Sequence, residues 1–127
     1  MPRKITGVAR FYHASRYTVK GLKAAYQTEP AFRYETWATL VLFPVALWLA
    51  ETGLQLALLV ASLLFVLLVE LINTAVEAVV DRAGTEFHPL AGLAKDLGSA
   101  AVFLALMIAL FIWCGTAWDN VFGGLGQ

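Results

Sequence analysis

Apolar positions fill most of the chain after residue 36, and polar ones interrupt them at few places. From about 31 to 50 the run is apolar at its centre, Trp37 to Leu49, with Arg33 and Glu35 in its first turns. Pro44 lies inside it and is a site for a kink. Glu51-Thr52-Gly53 then makes a turn short enough to set two antiparallel neighbours. A second run covers about 54 to 80, longer than a bilayer's hydrocarbon needs. A third covers about 96 to 118 and opens on small residues, Gly98 to Ala101, which allow close helix approach. Three transmembrane helices are predicted, with Trp37, Trp48, Trp113 and Trp118 as interfacial anchors. The intervening 81 to 95, punctuated by Gly84, Pro89 and Gly92, is expected to be loop.

Before these spans the pattern is amphipathic. From about 8 to 26, Val8, Phe11, Tyr12, Ser15, Val19, Leu22 and Tyr26 share one face. Arg10, Arg16, Lys20 and Lys23 occupy the rest. This predicts a helix lying on an anionic leaflet. Gln27-Thr28-Glu29-Pro30 breaks it, with Thr28 or Glu29 as cap of the next helix and Pro30 in its first turn. Residues 1 to 7 and 123 to 127 are expected to be loose ends.

Composition agrees with a membrane class. The 127 residues suit one domain, 1–127, with 60% hydrophobic and 14% charged residues. Net charge is zero, yet seven of nine bases precede residue 34, where Glu29 is the one acid. With apolar spans following, this basic region reads as membrane surface and not as a nucleic-acid site. It also places the N-terminus in the cytoplasm, and with three spans the 81–95 region joins it there. No apolar signal region precedes residue 36, so the spans themselves are expected to drive insertion. Cys114 is the one cysteine, which excludes an intrachain disulfide, and it is expected to be a packing residue.

The chemistry concentrates where the second span meets that face. At about 100° per residue, Glu70, Asn73, Thr74, Glu77 and Asp81 form one stripe. An acid at membrane depth costs at least ~2.5 kcal/mol on insertion scales, so two acids and an amide on one stripe need a compensating cause. Interhelical hydrogen bonding by Asn73 and Thr74 is one candidate. A site for a cation is the other, and Glu29, Glu70 and Glu77 together could hold Mg²⁺ and leave one carboxylate as base. Glu29, Arg33, Glu35, Lys95 and Asp96 are expected at the same face. Interfacial phosphoryl transfer follows as a reading of these residues. No P-loop or kinase glycine loop is present. His88 and His13 are lone histidines, more typical of hydrogen bonding than of metal ligation. A non-enzymatic alternative is an ion- or proton-conducting bundle using the same acids.

Glu70-Leu71-Ile72-Asn73-Thr74-Ala75-Val76-Glu77, continuing to Asp81-Arg82, resembles the signature of the small prokaryotic diacylglycerol kinases. So do Ala94-Lys95-Asp96-Leu97-Gly98-Ser99-Ala100-Ala101 and Lys20-Gly21-Leu22 with Ala31-Phe32-Arg33, over about residues 7 to 118. The resemblance implies an all-α integral membrane protein: an amphipathic surface helix, three transmembrane helices and a homotrimeric bundle with shared active sites. It implies Mg·ATP-dependent phosphorylation of diacylglycerol to phosphatidate at the bacterial inner membrane. Glu70 matches the general base, and Glu29 and Glu77 the metal-binding acids. Arg10, Tyr17, Glu29, Asn73, Glu77, Glu86, His88, Lys95 and Asp96 match the nucleotide site. Arg10, Glu35, Glu70 and Ser99 match positions associated with lipid substrate. A branch of the family phosphorylates undecaprenol instead. Thr18-Val19, Pro89 and Leu93 depart from the pattern.

Overall fold

The computed structural model describes residues 6–123. The expected loose ends therefore fall largely outside the described residues. Four helices follow one another: α1 Val8–Thr28, α2 Pro30–Leu49, α3 Gly53–Arg82 and α4 Pro89–Phe122. No strand occurs among the described residues.

Each boundary has a local cause. Glu29 alone separates α1 from α2, in extended backbone at φ −114° and ψ 107°. That is the conformation a following proline favours. Its amide still donates to the Ala25 carbonyl, and its carbonyl accepts from Arg33, so the two helices meet at a one-residue elbow. Neither expected side-chain cap forms. The Glu29 carboxylate makes no cap bond, and Thr28 Oγ1 donates back to the Ala24 carbonyl at 2.8 Å. At the next turn Thr52 Oγ1 accepts from the Gln55 amide at 3.1 Å and caps α3. α2 runs unbroken through Pro44.

The expected loop from 81 to 95 is much shorter. α3 continues to Arg82 and α4 starts at Pro89, which leaves residues 83–88 as the connection. Pro89 is a helix start and not a loop marker: it occupies the first turn, where no N–H is needed. His88 Nδ1 accepts from the Leu90 amide at 3.1 Å and caps the helix. Lys95 and Asp96 consequently sit on a helix two turns in.

α4 packs chiefly on α3, and α3 on α2. The seam is thin. Leu59, Leu63, Val66, Ala46 and Ala105 are buried, while most other large apolar side chains face outward. In water such a surface would aggregate; in a bilayer it is the correct solvent. α3 and α4 are each long and apolar enough to cross a membrane. At 1.5 Å per residue both exceed the ~30 Å hydrocarbon, so an end of each projects beyond it. α2 falls short of the same hydropathy because Arg33 and Glu35 take up its first turns. Cys114, expected in packing, is exposed on α4.

Polar ties fix the far half of the seam. Trp113, expected as an interfacial anchor, donates from its indole to Ser62 Oγ at 3.0 Å, and Ser62 donates to the Leu59 carbonyl. At the end of α4, Asn120 Nδ2 donates to the Leu49 carbonyl at 2.7 Å and to Gln55 Oε1 at 3.0 Å. Gln55 Nε2 returns a bond to Asn120 Oδ1 at 3.0 Å.

Candidate active site

The site is built from the other half of α3. Glu70 lies one turn beyond Val66 and two beyond Leu63, on the same inward face, and is 6% exposed. It is the one buried charged residue among those described. Glu35 on α2, Glu29 at the elbow and Glu77 on α3 all lie close enough for their charges to bear on Glu70. The elbow is what brings Glu29 there. Because its side chain does not cap α2, its carboxylate is left for another task.

Asn73 and Glu77 continue the stripe, both half-buried. Asn73 Nδ2 lies 3.5 Å from Glu77 Oε1, a long bond, and Asn73 Oδ1 is buried with no hydrogen-bond partner. That oxygen packs against Gly98 of α4. Thr74 donates to its own helix, at the Glu70 carbonyl. The hydrogen bonds expected across helices from Asn73 and Thr74 are therefore intrahelical. Among the described residues, Asn73 and Thr74 make no hydrogen bond across helices.

Lys95 Nζ meets Asp81 Oδ1 at 3.0 Å, joining the cytosol-facing ends expected for α4 and α3. No salt bridge engages Glu29, Glu35, Glu70 or Glu77 among the described residues. Glu70 is thus a buried carboxylate with no base paired to it among the described residues. Glu29, Glu70 and Glu77, expected together to hold Mg²⁺, do not form a three-acid metal cage, and no other group of three or more His, Cys, Asp or Glu does so among the described residues. The donor set fits a hard divalent ion bound through one or two carboxylates with phosphate completing its shell.

The remaining candidates surround this cluster less closely. Asp96 and Ser99 are exposed on α4, and Glu86 and His88 are exposed in the connection beside it. Glu86 and His88 share a groove with Asp81, Gly92 and Lys95. Arg10 and Tyr17 are exposed on α1. Tyr17 lines a second groove, of about 410 Å³, between α1 and the Leu71, Thr74 and Ala78 face of α3. Below Glu35 an apolar cleft of about 290 Å³ runs between α2, α3 and α4, lined by Thr39, Val66, Leu106 and Trp113. Gly98 has a role that its residue type alone did not single out. The signal was the Gly-Ser-Ala-Ala run, which announced close approach without naming what approaches.

Residues 16–116 match the family described as prokaryotic diacylglycerol kinase. The chain is 44% identical over 120 residues to the diacylglycerol kinase of Escherichia coli K12, covering 94% of this chain and 98% of that one. It is 46% identical over 112 residues to that of Haemophilus influenzae, covering 88% and 95%. With Pseudomonas aeruginosa diacylglycerol kinase it shares 44% over 108 residues, 85% of this chain and 88% of the relative. The matched residues 16–116 span the elbow, all of α2 and α3 and most of α4, and on that breadth the chain belongs to the prokaryotic diacylglycerol kinase family.

Proposed function

We propose that this protein transfers the γ-phosphoryl group of Mg·ATP to the primary hydroxyl of diacylglycerol, giving phosphatidate, at the cytoplasmic face of the bacterial inner membrane. The observation that carries the proposal is the burial of Glu70 among carboxylates that have no base of their own. Glu70 takes the hydroxyl proton as the alcohol oxygen attacks the γ-phosphorus and ADP departs. A positioned carboxylate can take the hydroxyl proton as the bond to phosphorus forms.

Glu29 and Glu77 are the acids proposed to hold Mg²⁺, which when bound neutralises phosphate charge during transfer. Asn73 orients Glu77. Lys95, paired with Asp81, is proposed to meet the nucleotide with Asp96, Glu86 and His88, and Arg10 and Tyr17 of α1 are proposed to reach it as well. Glu35 and Ser99 flank the lipid side. The location suits the substrates: one is soluble, the other anchored in lipid.

α2 is read as a third span, which sets α1 and the α3–α4 connection on one side. A single three-helix unit leaves its apolar faces uncovered, and closure with two further copies as a homotrimer with shared sites accommodates them. The test is ³²P transfer by purified protein, with diacylglycerol and undecaprenol offered side by side, with and without Mg²⁺. Transfer to undecaprenol alone would move the protein to the other branch of the family. Ion flux across proteoliposomes without ATP consumption would replace the kinase reading with a conducting bundle.

A further inference from the structure

The elbow at Glu29 raises a mechanical question. A single residue in extended backbone, held by Pro30 and by its own amide and carbonyl bonds, joins the two helices. α1 buries only Ala25, in its last turn, and leaves the rest of its length exposed. Its contact with α3 is slight and encloses an open groove. Its packing on α2 is closer than that on α3, so the α1–α2 junction is where its direction is set.

One side-chain bond spans the elbow. The Trp37 indole N–H donates to the Tyr26 hydroxyl oxygen at 3.2 Å. Tyr26 lies in the last turn of α1 and Trp37 in the second turn of α2, eleven residues apart. No other side chain of α1 hydrogen-bonds outside its own helix among the described residues. Both rings remain partly exposed, Trp37 at 59% and Tyr26 at 36%. Two interfacial anchors acting separately would need only lipid headgroups as partners. Here the indole N–H turns to the neighbouring helix instead.

We propose that Tyr26 and Trp37 are a positioning pair, a brace that sets the angle between α1 and α2 and so the place of Glu29 and of the nucleotide-facing side of α1. The proposal rests on the kinase reading for its catalytic consequence, though not for the brace itself. Neither residue touches substrate. They act through the elbow: with the brace closed, Glu29 stays within electrostatic reach of Glu70 and Tyr17 stays over the α3 groove. With it open, only the elbow's own backbone bonds and the slight α1–α3 contact remain to hold both relationships.

Tyr26→Phe removes the acceptor oxygen and Trp37→Phe removes the donor, and each keeps an aromatic ring at the interface. In the purified full chain, each variant is expected to raise KM for Mg·ATP about two- to tenfold, the range one hydrogen bond of ordinary net worth can hold. kcat at saturating Mg·ATP and the melting temperature should stay close to wild type. The double variant should be no worse than either single one, since both remove the same bond. Hydrogen exchange gives a readout independent of activity: α1 amides should exchange faster in Trp37→Phe, while α3 and α4 are unchanged. Additive KM effects, or α1 exchange identical to wild type, would overturn the brace. So would a lowered melting temperature with KM unmoved, which is what a merely structural role predicts. If wild-type protein transfers no phosphate, the kinase reading fails, and the exchange measurement still decides the brace.

Discussion

The carboxamide of Asn73 lies so close to Gly98 that any side chain at position 98 would meet the Asn73 oxygen. The glycine is there for space and not for backbone freedom, since it sits within helix α4. It lets α4 approach α3 at the turn that joins Glu70 to Glu77.

Gly98→Ala therefore separates stability from function. The added methyl must displace the Asn73 side chain, at an overpacking cost of about 1–3 kcal/mol. Alanine in a helix interior returns roughly 1 kcal/mol over glycine. Net stability should fall little, while phosphoryl transfer should drop at least about tenfold as Asn73 leaves Glu77. Thermal melting in detergent beside the kinase assay checks both. Full activity would mean that the place of Asn73 is immaterial.

Glu70→Gln should remove the proton acceptor and lower transfer by about two to four orders of magnitude. Its stability should equal or exceed wild type. A buried carboxylate surrounded by carboxylates is costly to keep, and an amide of the same shape relieves that cost. A variant both inactive and clearly destabilised would assign Glu70 to the fold instead.

Glu77→Gln should shift the Mg²⁺ titration of activity to higher concentration while transfer at saturating Mg²⁺ is partly restored. An unmoved titration would take Glu77 out of the metal role. Glu29→Gln should behave alike, because the cap it was placed to make in sequence does not form.

Asp81→Asn breaks the Lys95 ion pair at a surface where both partners are well exposed. Such pairs contribute about 0–1 kcal/mol, so melting should barely change. Any rise in KM for Mg·ATP then reports the aim of the Lys95 side chain and not the integrity of the fold.

Asn120→Ala should have the opposite profile. It removes donors from the Leu49 carbonyl and Gln55 at the far end of the bundle, and leaves part-buried groups without partners. A loss of about 1–3 kcal/mol is expected, with KM for Mg·ATP unchanged at temperatures where the protein stays folded.

Four helices and their order were legible along the chain, and so was the stripe of acids on α3, because helical periodicity and lipid's intolerance of charge are local properties. Pro89 shows where local reading stops. Proline marks a break or a helix start, and only His88 turning its ring onto the Leu90 amide decided between them. Thr74 shows the same for side chains: a hydroxyl on a polar stripe can bond across or back, and here it bonds back.

What the chain's order of residues determined by itself was which positions carry charge into an apolar helix and how they align along it. Only the packed helices decided that Glu70, and not Glu77 two turns further on, is the buried acid of the stripe, and that Gly98 rather than a polar partner faces Asn73. Periodicity specifies a face; which neighbour meets that face depends on elbow angle and interhelical distance, and those follow from contacts between residues far apart in the chain.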